Sequence, residues 1–191
     1  MDAIVEAALR KWPNVPHCYG WLALDARGNW YMRDERIQAA GAFPQVKGSR
    51  IDHDKLKAFI ERNYAADAQG AWFFQNGPQR VYLQLEAAPY VWRVSEGQGA
   101  GLGTSTGWPV HSHTGLAASV RSSWLDESGR LFLDTDLGYG LVHSLDMGIA
   151  ALAVEAQDWQ PRELAFADMP ARFAYLLRPT PPGPATQSTV L

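Results

Sequence analysis

Apolar residues recur at helical spacing near the start of the chain and again before its middle, with strand-like alternation between and beyond. Ile4, Val5, Ala8, Leu9 and Trp12 share one face of an opening segment that Asp2 can cap and Pro13 stops. Ile51 to Ala66 carries the clearer stripe, with Asp52 as N-cap and Leu56, Phe59, Ile60 and Tyr64 on one side. Tyr19 to Leu24 and Asn29 to Arg33 read as strands around Asp25-Ala26-Arg27-Gly28, a turn in which glycine supplies a positive φ. Trp72 to Gln75 and Arg80 to Glu86 flank a second turn at Asn76 to Gln79, and Tyr90 to Val94 forms a further strand after Pro89. Asp34 to Arg50 has no periodicity and holds Gly41, Pro44 and Gly48, so it reads as a long surface loop. Later strands are expected at Leu116 to Trp124, Arg130 to Asp134 and Leu141 to His143. A helix from a Ser144 cap to about Ala156 comes next, followed by strands near Glu163 to Phe166 and Arg172 to Leu177.

The order of these elements repeats. Leu24-Asp25-Ala26-Arg27-Gly28 leads into Asn29 to Met32 as Leu125-Asp126-Glu127-Ser128-Gly129 leads into Arg130 to Leu133. Leu83 to Pro89 aligns with Leu164 to Pro170, again an alternating segment closed by proline. The copies lie 101 residues apart at the first motif and 81 at the second, so the second copy lacks about 20 residues, close to the length of the Asp34 to Arg50 loop. The expected fold is α+β with two diverged repeats, each an antiparallel sheet of hairpins with one helix packed on it. Residues 1–94 hold the N-terminal helix and first repeat, 95–109 a Gly-rich linker, 110–178 the second repeat, and 179–191 a proline-rich disordered tail.

Several motifs carry a resemblance: Pro16 to Trp21, Leu24 to Trp30, Trp72 to Tyr82 and Glu86 to Pro89. On these residues the chain resembles a proteobacterial family of uncharacterised proteins, known as a domain of unknown function. The Gly28 to Tyr31 and Glu86 to Pro89 stretches are more remotely similar to another unknown-function family, for which a repeated α+β fold and a signalling role have been suggested. The resemblance implies a fold more directly than a function.

Composition narrows the partners. Of 191 residues, 47% are hydrophobic and 19% charged, with 8 Trp, 7 Tyr and 7 Phe, as a packed globular chain requires. A formal charge of −3 offers no broad positive field for nucleic acid or an anionic membrane surface, and neither is expected as a partner. No apolar run reaches the roughly 20 residues of a membrane span. The N-terminus lacks the features of a signal peptide, and Cys18 stands alone, so the expected compartment is the cytoplasm.

Candidate chemistry is sparse. His111 and His113 would share one face of a strand, and with His143 they could hold a divalent metal. Asp134 to Asp136 lacks the remaining ligands of a calcium loop, the run Gly97 to Gly103 departs from a phosphate-binding fingerprint at Leu102, and no serine sits in a nucleophile elbow. Most aromatic residues suit a core, but Trp30, Arg33, Arg80, Tyr90 and Trp92 could line a groove for a small molecule or a protein partner. The leading expectation is a non-enzymatic ligand-binding or regulatory protein, without a resident cofactor, engaging its partner between the two repeats or under the Asp34 to Arg50 loop. The alternatives are a metal-dependent enzyme built on the three histidines and a structural subunit of an assembly.

Overall fold

The computed structural model describes residues 1–97 and 107–182. Helix α1 (Ala3–Lys11) is anchored where the Asp2 N–H donates to Asn63 Oδ1 at 2.8 Å and Arg62 donates to the Asp2 carboxylate. Strands β1 (Cys18–Leu24) and β2 (Trp30–Met32) form the expected hairpin. Helix α2 (Glu35–Ala40), strand β3 (Ser49–Arg50) and helix α3 (Asp54–Arg62) follow. Strands β4 (Tyr64–Ala66), β5 (Trp72–Asn76) and β6 (Gln79–Leu85) then meander antiparallel. This first sheet has the order β3-β2-β1-β6-β5-β4, and only β1 and β6 run parallel.

The second sheet begins before the Gly-rich segment. Strand β7 (Tyr90–Val94) pairs with β8 (Val110–Ser112), which pairs with β9 (Ala117–Ala118). Strands β10 (Val120–Leu125), β11 (Leu131–Thr135) and β12 (Tyr139–Val142) form an antiparallel series. Helix α4 (Met147–Glu155), strand β13 (Arg162–Glu163) and helix α5 (Met169–Arg172) complete the chain. The order is β13-β10-β11-β12-β7-β8-β9, with β10/β13 and β12/β7 parallel. Both halves are therefore sheet-bearing α+β units, and their sheets are mixed rather than purely antiparallel. Tyr90–Val94, expected with the first repeat, lies in the second sheet because its free edge is filled by Tyr139–Val142.

The two halves share one plan: a hairpin, a third strand on its outer edge, a helix, and a last strand parallel to the first. Leu24 lies opposite Trp30 and Leu85, and Leu125 opposite Leu131 and Glu163. Leu85 thus corresponds to Glu163, a shift of three residues from the pairing that alternation suggested. The residues missing from the second half come from two places. Residues 33–48, including α2, shrink to a three-residue connection between β11 and β12, and β4 and β5 have no counterpart between α4 and β13.

One hydrophobic core serves both units: Leu24, Phe74 and Leu83 from the first pack in the same cluster as Trp124, Phe132 and Leu141 from the second. Local chemistry explains other departures from the expected elements. Asp34 accepts from the Ile37 N–H at 3.0 Å and starts α2 inside the supposed loop. Asp52 pairs with Arg50 instead of capping α3, and His53 caps it by accepting from the Leu56 N–H. Arg172 to Leu177 is not a strand, since Pro170 in the first turn of α5 favours a helical start. Among the described residues no helix is long and apolar enough to cross a membrane. Most of the Gly-rich linker (98–106) and of the proline-rich tail (183–191) lies outside the described residues.

Candidate functional site

The two Leu-Asp-x-x-Gly turns are built alike. In the first, Asp25 Oδ1 accepts from the N–H groups of Arg27 and Asn29, both at 2.9 Å. In the second, Asp126 Oδ1 accepts from Ser128 at 3.0 Å and Arg130 at 2.8 Å. A short polar side chain folding back on its own backbone closes each hairpin and leaves the second carboxylate oxygen for a cation. Lys47 Nζ donates to Asp25 Oδ2 at 3.1 Å, and Arg130 Nε donates to Asp126 Oδ2 at 2.6 Å. The carboxylates are almost wholly enclosed, 2% and 0% exposed, whereas the side chains of Lys47 and Arg130 remain 38% and 35% exposed.

Both turns open onto one cleft of about 250 Å³ between the units. Ala26 and Arg27 contribute from the first turn, Gly129 and Arg130 from the second, and Lys47 from the segment after α2. Leu141, Val142 and Met147 form its apolar floor, with exposed Ser144 at the rim. Glu86 adds a carboxylate that accepts from the Ala26 N–H at 3.2 Å and from Lys47 at 3.1 Å. Partial burial disfavours the Lys47 ammonium, but the hydrogen bonds to Glu86 and Asp25 outweigh it and hold its pKa above the usual lysine value. Burial works against the Asp25 carboxylate too, yet the donors from Asn29, Arg27 and Lys47 win, and its pKa lies below the ordinary aspartate value. The arrangement fixes charged groups around a small apolar floor. It holds no nucleophile paired with a base.

The histidines do not converge. His111 is exposed on β8, whereas His113 lies just past the end of that strand with its ring among Trp30, Tyr64 and Tyr90, at centroid distances of 5.5, 6.0 and 6.0 Å. His113 Nδ1 accepts from the Val91 N–H at 3.2 Å, and Nε2 is enclosed without a partner among the described residues. His143 accepts from the Leu145 N–H and caps the turn before α4. Among the described residues no group of three or more His, Cys, Asp or Glu side chains is placed to hold a metal ion.

The proposed groove residues also serve other purposes. Trp30, Tyr90 and Trp92 are buried, Tyr90 stacks on Trp92 at 5.0 Å, and with Tyr64 and His113 they form an aromatic seam between the units. Arg33 is buried and donates to Gly41 O at 2.7 Å and Gln84 Oε1 at 3.3 Å. Arg80 stacks over Phe73 at 4.4 Å. The cleft residues Arg27, Lys47, Glu86 and Arg130 were not singled out by sequence reasoning. The repeated turn was the usable signal for Arg27 and Arg130, because equivalent hairpins in a duplicated fold can meet at one place. Lys47 lies in the flagged loop, and no local pattern marks Glu86.

A second, larger cavity of about 430 Å³ lies between α3 and the first sheet, lined by Trp21, Met32, Phe59 and Phe74 among others, with no charged side chain. It offers apolar contact and the amides of Asn76 and Gln79.

The model of a family described as "Protein of unknown function (DUF2946)" matches residues 1–180. A comparison with curated proteins finds no match. Two solved structures are similar. One is a DUF1285 family protein from Silicibacter pomeroyi DSS-3, 13% identical with a TM-score of 0.45, covering 78% of this chain and 83% of that chain. The other, a DUF1285 family protein from Shewanella baltica OS155, is 14% identical with a TM-score of 0.44, covering 70% and 92%.

Proposed function

The chain belongs to this family of proteins of unknown function, and from that premise we propose a non-enzymatic, regulatory binding protein whose ligand is a small molecule seated in the cleft between the units. The observation that supports this most is the convergence of Arg27, Arg130 and Lys47 on one apolar-floored cavity drawn from both copies of the turn. Concave sites of this kind, mostly apolar with a few fixed polar groups, are how proteins hold small ligands. Of the groups that a catalytic reading could use at the cleft, Glu86 is engaged by Lys47 and the Ala26 N–H, and Ser144 has no base paired with it among the described residues. The single, half-buried thiol of Cys18 suits a reducing compartment, so the proposed location is the cytoplasm.

The test is a thermal-shift screen of a small-molecule library against the wild-type chain and Ser144→Trp. Ser144 is exposed at the cleft rim, so the indole obstructs the cavity and leaves the core intact. Ligands that raise the wild-type Tm and lose that effect in the variant support the reading. Hits that persist unchanged in Ser144→Trp, or a screen without hits, refute it.

A further inference from the structure

We infer that the cleft ligand is a small organic anion with an apolar body, its carboxylate or phosphate oxygens held by Arg27, Lys47 and Arg130. This inference rests on the cleft being the binding site. The wall has more donors than acceptors. A lysine ammonium has three N–H donors, and Lys47 commits two, to Asp25 and Glu86. Arg130 commits Nε to Asp126, and among the described residues its terminal nitrogens donate to no acceptor. Its guanidinium carbon sits over the Phe166 ring, 4.4 Å from the centroid, and the Nε bond to Asp126 holds it there. Arg27 is exposed and makes no side-chain hydrogen bond or ion pair among the described residues.

The balancing acids hold Lys47 and Arg130 and leave Arg27 unpaired among the described residues. Asp25 and Asp126 are enclosed behind their turns, where they accept backbone N–H groups and fix the cations from the rear. Among the described residues Glu86 is the one carboxylate lining the cleft, and its Oε2 is shared by Lys47 and the Ala26 N–H. His143 adds no charge at neutral pH, because burial and the nearby Arg93 push its pKa down. Arg93 is itself closed off by Asp146, with contacts of 2.6 and 3.0 Å. An incoming anion therefore meets the unpaired Arg27 guanidinium and the remaining donors of Lys47 and Arg130, which their carboxylate partners hold in place, so little ordering cost falls on those two. On the same cleft, Leu141, Val142 and Met147 offer apolar side chains. A cavity of about 250 Å³ admits an anionic head and a short tail, not a polymer.

The experiment is calorimetric titration of the full chain at low salt with four probes of equal chain length: hexanoate, hexyl phosphate, hexanamide and hexylamine. At least one of the two anions should bind, with the amide and amine at least about tenfold weaker; which anion binds tighter identifies the head group. Arg27→Gln should weaken anion binding about tenfold, and Ser144→Trp should abolish it. Amide or amine binding as tight as the anions, or unchanged affinity in Arg27→Gln, overturns the inference; if Ser144→Trp still removes that binding, the cleft reading stands. Anion binding that survives Ser144→Trp but is lost in Phe59→Ala places the ligand in the uncharged groove and refutes both. Failure of all four probes overturns the anion assignment, and the library screen then decides the cleft.

Discussion

His113 is the side chain against which both units lean. Its Nδ1 is occupied by the Val91 N–H, so in the neutral ring the proton sits on Nε2, which is enclosed and has no hydrogen-bond partner among the described residues, while Trp30, Tyr64 and Tyr90 surround the ring. Burial pulls its pKa from 6.5 to about 3. The folded chain therefore refuses a proton that the unfolded chain accepts below pH 6.5. Its contribution to stability is complete above that value and is lost progressively as the pH falls toward 3. Between pH 7 and 5 this one group should remove about 2 kcal/mol, read as a falling urea midpoint. His113→Leu should flatten most of that slope. A smaller slope remains from His143, whose pKa is lowered in the same direction. The spacing of His111 and His113 suggested a shared face, and what defeats it is local: the strand ends at Ser112, so alternation no longer governs where His113 points.

The equivalent turns give an internal comparison at the scale of an element. Gly28 and Gly129 both adopt positive φ, 78° and 72°. A Cβ at Gly28 would stand 2.9 Å from His113 Cβ, whereas at Gly129 it would meet open space. Gly129→Ala should cost about 1 to 2 kcal/mol, the backbone penalty alone. Gly28→Ala should cost at least about 1 kcal/mol more, because the seam must also give way. Thermal or urea melting of the two variants checks both the difference and its order. These hairpins were readable in the sequence because Asp and Gly act within five residues of each other. Helix α3 was readable through its apolar stripe. Helix α2 was not, since six residues with no buried member leave no stripe and only the Asp34 cap marks its start. The sheet to which β7 belongs was beyond reach, because its partner strand lies some 50 residues downstream. The cleft shared that fate: Lys47, Glu86 and Arg130 meet only after both units have folded.

At the scale of the whole molecule, the shared core and the placement of β7 join the halves. Tyr64 Oη donates to Pro89 O at 2.8 Å, Tyr175 Oη to Ala87 O at 3.0 Å, and the Leu85 N–H to Leu177 O at 2.9 Å. Unfolding should accordingly be a single transition, with far-ultraviolet circular dichroism and tryptophan fluorescence giving coincident urea curves. A fragment of residues 1–97 should remain unfolded by both probes, since it carries β7 without β12 and half of a common core. Two separated transitions, or a cooperatively folding fragment, would show that the units are energetically independent.

The crossover of β7 also sets a clock on biosynthesis. At ordinary elongation rates of 5–20 residues per second, the stretch between Val94 and Val142 takes roughly two to ten seconds to emerge. Through that interval a strand of sequence Tyr-Val-Trp-Arg-Val has at least one edge unpaired, and both until Val110 to Ser112 emerge, with its apolar side chains lacking their final cover. The nascent chain is most exposed to misassociation during those seconds, a vulnerability that ends only when Gly140 and Leu141 arrive to close the sheet.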